Sequence, residues 1–197
     1  LGIRNAFLTN QKKRDEYGLG VRKVKPNMPS DSTLLGYEFV SNNMDQIEYE
    51  TIVSTSSDQE AFSMGILKKE WTENGRNHYH FKSKGKIVNT ISWMSGNYQK
   101  KETTSKYQYL ELYHNEHHDH NHQHLFHGLK SSLNFCSEWF GALPYDTLKL
   151  IEFPIHYGTY ATVQGNLIPY SESQFLCNVS HNKNEKFNMP FYVTAHE

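Results

Sequence analysis

Cysteine is nearly missing from this chain of 197 residues: Cys136 and Cys177 are the whole complement. Two thiols so far apart build neither a disulfide framework nor a zinc knuckle, and they read as buried free thiols. Long hydrophobic runs are missing as well. No stretch approaches the ~20 apolar residues that span a bilayer, and the opening residues do not read as a signal peptide. An excess of charge is also lacking. The formal net charge is −1, and no basic run exceeds Lys12-Lys13-Arg14. A chain so balanced has no general field to draw in nucleic acid or an anionic membrane.

Tyrosine and phenylalanine are plentiful, with 13 and 11 copies, enough with the aliphatic residues for a substantial core. Ile3, Phe7 and Leu8 fall on one face of a possible short helix, and Pro26, Pro29, Ser30, Asp31 and Ser32 then form a turn-rich linker. From Gln46 the period becomes two: Ile47, Tyr49, Thr51 and Val53 share one face of a strand, Glu48 and Glu50 the other. Leu67–Thr72 and His78–Phe81 flank Asn74-Gly75, a strong hairpin signal because both residues tolerate positive φ. His78 and His80 then fall on the solvent face. Ile87–Met94 reads as a further strand, ended by Ser95-Gly96-Asn97.

After the polar stretch from Gln99 to Ser105 the character changes. Lys106–Tyr113 reads as a strand. His122–Phe140 reads as a helix, with Leu125, Leu129, Leu133 and Cys136 on one stripe and Gly141 as its stop. Leu148–Phe153 is apolar on both sides, as a buried strand is. Asn188 and Pro190 suit the start of a last helix. The expected fold is mixed α+β. It divides into an N-terminal segment and linker over 1–32, an antiparallel β-sandwich-like domain over 33–103, and an α/β domain over 104–197.

Seven of the twelve histidines, His114, His117, His118, His120, His122, His124 and His127, crowd one stretch with Glu116 and Asp119. Zinc needs three or four ligands converging from a fixed scaffold. A run leading from a strand end into a helix points its residues in different directions, so this one reads as a solvated polar run with adventitious metal affinity. The chain ends in Phe191-Tyr192-Val193-Thr194-Ala195-His196-Glu197. An apolar helical turn running into His-Glu is how the zinc motif H-E-x-x-H begins; its two histidines share a helix face and its glutamate activates the metal-bound water.

Taken together, these segments resemble the aminopeptidase N-type family of zinc metallopeptidases (gluzincins). Gly128–Phe135 through Trp139-Phe140-Gly141-Ala142-Leu143-Pro144-Tyr145 is similar to the helix and F-G-x-x-P-Y segment that open the family's catalytic domain. Leu148–Pro154 is similar to the strand that follows, and Phe191–Glu197 to the zinc-motif helix. Tyr79–Ser83 and Trp93–Tyr98 resemble the end of the family's N-terminal β domain. A second family signature, G-x-M-E-N, holds the substrate's amino group through its glutamate. At that place, about two dozen residues before His196, stands Pro169-Tyr170-Ser171-Glu172-Ser173, which keeps only the glutamate. The Pro-Tyr-Ser-Glu form resembles a branch of the family joined to membrane-transporter-like segments.

The resemblance implies an antiparallel β lobe followed by the N-terminal part of a thermolysin-like α/β catalytic domain. It implies a parent that hydrolyses N-terminal peptide bonds, with His196 as zinc ligand, Glu197 as general base and Glu172 as the anchor of the peptide's amino group. The expectation is a chain cut within the zinc motif, inactive alone and holding no zinc stably. The parent is expected to bind zinc and peptide substrates, no nucleic acid, and to be membrane-associated and extracytoplasmic. The alternative is a non-catalytic peptide- or partner-binding module.

Overall fold

The computed structural model describes residues 10–21, 46–177, 179 and 187–197. The possible helix at Ile3, Phe7 and Leu8 and the linker from Pro26 to Ser32 lie outside the described residues. The chain divides into two compact units, Leu1–Asn42 and Asn43–Glu197. In the first, helix α1 (Gln11–Glu16) is capped by Asn10, whose side chain accepts a hydrogen bond from the Lys13 N–H at 3.2 Å. This satisfies one of the donors that every helix start leaves open.

The second unit is mixed α+β. Its first part is antiparallel. Strands β2 (Glu50–Ser56), β4 (Ile66–Glu73) and β5 (Arg76–Lys82) form a three-stranded sheet in the order β2-β5-β4. The hairpin between β4 and β5 turns at Asn74 and Gly75, whose φ values are 52° and 72°. Both positive, these belong to the tight turn that the Asn-Gly pair favours. Tyr79 and Phe81 of β5 are buried with Ala61, and Val53 packs against them. His78 and His80 alternate with them, on the face opposite this small core.

Strand β1 (Gln46–Ile47) pairs with β6 (Ile87–Val88), and β3 (Glu60–Ser63) with β7 (Trp93–Gly96). The single strand expected over Ile87–Met94 is thus two short ones with different partners. The change of partner requires the break between Val88 and Trp93.

The second part is a four-stranded sheet in the order β11-β10-β9-β8, made of β8 (Gln99–Thr104), β9 (Tyr109–His114), β10 (Thr147–Phe153) and β11 (Leu167–Ser171). β9, β10 and β11 run parallel, and β8 antiparallel to β9. Both faces of β10 are covered, which explains its two-sided apolar pattern. On one face Leu148 and Leu150 pack with Leu110, Leu112, Ile168 and Tyr170 under helix α2 (His122–Phe140), through Leu125, Leu129 and Leu133. On the other, Ile151, Tyr113 and Leu167 pack with Tyr49, Phe62 and Met64 of the preceding antiparallel part. Full burial of each such side chain is worth about 1.5–3 kcal/mol.

Gly141 takes a φ of 86° and stops α2 where the sequence places the stop. The apolar stripe does not extend as far as expected. Cys136 is exposed and Cys177 half-buried, so the reading of two buried thiols is corrected. The last turns of α2 leave Phe135, Cys136, Trp139 and Phe140 exposed.

Short helix α3 (Glu172–Phe175) follows β11 directly, and helix α4 (Met189–His196) closes the described chain. Asn188 caps α4 by accepting from the Phe191 N–H at 3.1 Å, with Pro190 in the first turn. Among the described residues no helix is long and apolar enough to cross a membrane.

Candidate functional site

Parallel strands all release their chains at the same edge, and that carboxyl edge is where ligands collect in sheets of this kind. Here β9 ends in His114, β10 in Glu152-Phe153, and β11 in Ser171 followed by Glu172. The residues 115–121 run along the same edge before α2 begins.

Glu152 is 4% exposed, a carboxylate in a strand otherwise made to be buried. Such a group requires partners. Its Oε2 accepts the Asn115 N–H at 2.8 Å, and its Oε1 meets His118 Nδ1. Glu172 opens α3, and its Oε1 accepts the Ile155 N–H at 2.8 Å. Ligand-capable atoms of His118, Glu152 and Glu172 lie within 4.8 Å of one another. Glu152 and Glu172 border a cleft of about 220 Å3 lined also by Asn97, Tyr98, Asn115 and Pro154. Tyr98 donates its hydroxyl to the Glu152 carbonyl at 3.1 Å. Burial, aided by the Glu152 charge, pushes this phenol up to about 12. Two carboxylates to one imidazole give the cleft the composition of a cation site.

A second cluster stands beside the first. His114 is 2% exposed and His122, at the start of α2, is 8% exposed, with ring centres 4.5 Å apart. The Asp119 Oδ1 lies 2.7 Å from His122 Nδ1, and the ammonium of Lys101 also reaches Asp119. Burial, and then the nearby ammonium of Lys101, push His122 down to about 4. The reading of the whole histidine stretch as solvated is therefore corrected for these two rings. His117, at 81% exposure, does fit it. His124 is taken up structurally, its Nδ1 lying 2.8 Å from Asn188 Nδ2.

His196 is the last residue of α4, exposed, its ring 6.1 Å from that of Tyr192. Glu197 is half-buried and follows at the helix end, its N–H donating to the Val193 carbonyl at 3.0 Å. Both border an apolar groove of about 350 Å3 with Leu129, Leu133, Phe140 and Ile168. The three residues expected to carry the chemistry thus fall in two places: Glu172 in the cleft at the carboxyl edge, His196 and Glu197 along the groove. Among the described residues no hydrogen bond or ion pair joins Glu172 to either of them. Among the described residues, the groups able to converge on a metal include neither His196 nor Glu197. One imidazole does not make a catalytic zinc site, which takes three protein ligands.

Sequence reasoning passed over Glu152, and it read His118 as part of the solvated run, whereas its side chain is 19% exposed. The signal for Glu152 was present, since a lone carboxylate inside Leu148–Phe153 has to be matched once that strand is buried.

The geometry can be set beside known structures. The fold is shared with an M1 zinc metallopeptidase. That protein, from Deinococcus radiodurans and solved in a mutant form, superposes with a TM-score of 0.54 at 12% sequence identity. The match covers 66% of this chain and 31% of the other, so the chain spans about a third of that enzyme's length. No sequence-family model matches, and no curated protein does. The likeness is one of fold.

Proposed function

We propose that this chain is part of a zinc-dependent aminopeptidase, and that its cleft at the carboxyl edge of the sheet receives the free amino end of a peptide. The observation that carries this reading is the convergence of Glu172 with buried Glu152 and with His118. An α-ammonium group presents three donors and a positive charge, and two carboxylates held by backbone N–H groups match both. Ile155 fixes one oxygen of Glu172, and the other is the one that meets the ammonium. Anchoring of this kind also sets the first peptide bond at a fixed distance from the anchor, so it contributes orientation as well as affinity.

The shared fold supports the peptidase reading. So does the position of His196-Glu197 at the end of a helix packed on α2. Hydrolysis belongs, on this proposal, to a longer polypeptide in which His196 has its partner ligands and Glu197 serves as base; the chain alone is inactive. Phe135, Trp139 and Phe140 are 62%, 73% and 85% exposed. A contiguous apolar face of this kind marks an interaction surface, and in this reading further catalytic-domain structure covers it. On the resemblance of Pro169-Tyr170-Ser171-Glu172 to the transporter-joined branch, we extend the proposal to a membrane-attached, extracytoplasmic parent. Pro169 is compatible with its strand because β11 is the edge of the sheet, where a missing N–H is tolerated.

The test is hydrolysis of an amino-acid anilide, alongside bound zinc, by the longer polypeptide, by its His196→Ala form and by this chain. Turnover, and zinc held through His196, are expected only in the first. A parent without turnover whose chain still binds free-amino peptides would favour the binding module. Turnover by the chain alone would refute the assignment of His196.

A further inference from the structure

His114, Asp119 and His122 are held as a metal site is held, and none of them belongs to the cleft or the groove described above. His114 Nδ1 lies 2.7 Å from the Asn115 carbonyl, an acceptor. That nitrogen therefore carries the proton, and Nε2 holds the lone pair. His122 Nδ1 faces the Asp119 carboxylate in the same manner, which leaves its Nε2 with the lone pair too. A ring nitrogen fixed by a carbonyl or carboxylate, with the other left free, is how proteins orient histidine for a metal. Both Nε2 atoms are buried and have no hydrogen-bond partner. A buried acceptor left so is unfavourable, and here two stand side by side. Ligand-capable atoms of His114, Asp119 and His122 all lie within 4.8 Å of one another.

We propose that the Nε2 atoms of His114 and His122, the latter ring held from Nδ1 by Asp119, bind a divalent first-row transition ion, zinc above all, which clamps the end of β9 to the first turn of α2. Two imidazole nitrogens, with a carboxylate behind one ring, suit such an ion; magnesium and calcium favour sites built of oxygen. An open cleft of about 640 Å3, lined by Asp119, His122 and Lys101, runs up to the His122 ring. Lys101 is the competitor. Its ammonium sits on Asp119 and is 39% exposed, so it can swing into solvent as the ion enters. The clamp fixes the stretch 115–121, and with it His118, which faces Glu152 on the other side. The expectation that the chain holds no zinc rested on His196 alone; this site is independent of His196 and of the aminopeptidase reading.

The experiment is zinc titration of the 197-residue chain carrying His196→Ala, in competition with a chromophoric chelator. One equivalent is expected. His122→Ala should abolish it, and Asp119→Asn, in the exposed turn, should weaken it by roughly 10–100-fold. Lys101→Met should tighten it by removing the competing charge. Replacing exposed His117 and His120 together by alanine should change nothing. The proposal is overturned if binding survives His122→Ala and Asp119→Asn, or if it vanishes with His117 and His120, since the exposed histidines would then be the ligands. Absence of a tight equivalent in the folded starting chain overturns it as well. Should His122→Ala fail to fold, Asp119→Asn and Lys101→Met decide, because their opposite shifts cannot come from loss of structure.

Discussion

Gly128 of α2 leaves no space for a side chain against Thr194 of α4: a Cβ there would lie 2.2 Å from the Thr194 Oγ1 and 2.6 Å from the Phe191 carbonyl. Thr194 cannot yield, being fully buried with its hydroxyl donating to the Pro190 carbonyl at 2.6 Å. The glycine therefore sets the distance at which the helix bearing His196 crosses α2. Gly128→Ala should cost about 1–3 kcal/mol through overpacking, although alanine is the better helix former. A urea denaturation midpoint measures this, and a stability equal to or above wild type would mean that the two helices do not meet so closely.

Asn166 bonds both backbone groups of Gly65. Its Oδ1 accepts the Gly65 N–H at 2.9 Å, and its Nδ2 donates to the Gly65 carbonyl at 3.0 Å. The pair is buried and joins the turn after β3 to the loop before β11. Asn166→Ala leaves two buried backbone groups unmatched, at about 1–3 kcal/mol each. Asn166→Asp keeps the acceptor and loses the donor, so it should fall between. Thermal or chemical unfolding of the two variants gives the order.

The pH dependence at Tyr98 has a definite sign. Burial raises its folded-state value from 10.0 to about 12. The unfolded chain loses this proton first, so the stabilisation is complete below pH 10 and is lost as the pH rises towards 12. The slope is at most about 1.4 kcal/mol per pH unit. The difference between wild type and Tyr98→Phe, taken from unfolding midpoints at several pH values, should be constant below pH 10 and shrink above it. A flat difference would show a phenol open to solvent.

Local patterns reach as far as local causes act. Asn74-Gly75, the stop at Gly141, the cap at Asn188 and the helix from His122 to Phe140 stand where the sequence puts them, because a turn, a cap and an amphipathic stripe are decided within a few residues. Ile87–Met94 splits because its two halves pair with strands far away in the chain, which its own pattern does not record. The site was legible only in part for the same reason. Glu172 is reached by its spacing to a motif. Glu152, His118, His114 and His122 acquire their roles from the parallel register of β9, β10 and β11, which brings three strand ends to one edge. In the linear order the two buried histidines cannot be told from the exposed ones beside them.

The most direct test of the central claim, that Glu172 reads a free amino group, compares free and N-acetylated substrates. It is made on the longer polypeptide with its zinc motif complete and on its Glu172→Gln form, which keeps the size and removes the charge. Wild type should strongly prefer the free amine. Glu172→Gln should lose roughly 1.5–3 kcal/mol in kcat/KM for the free substrate, the range for hydrogen bonds to charged groups, with little change for the acetylated one. An unchanged preference between the two substrates would contradict the claim and leave Glu172 as a carboxylate that does no more than hold the Ile155 N–H.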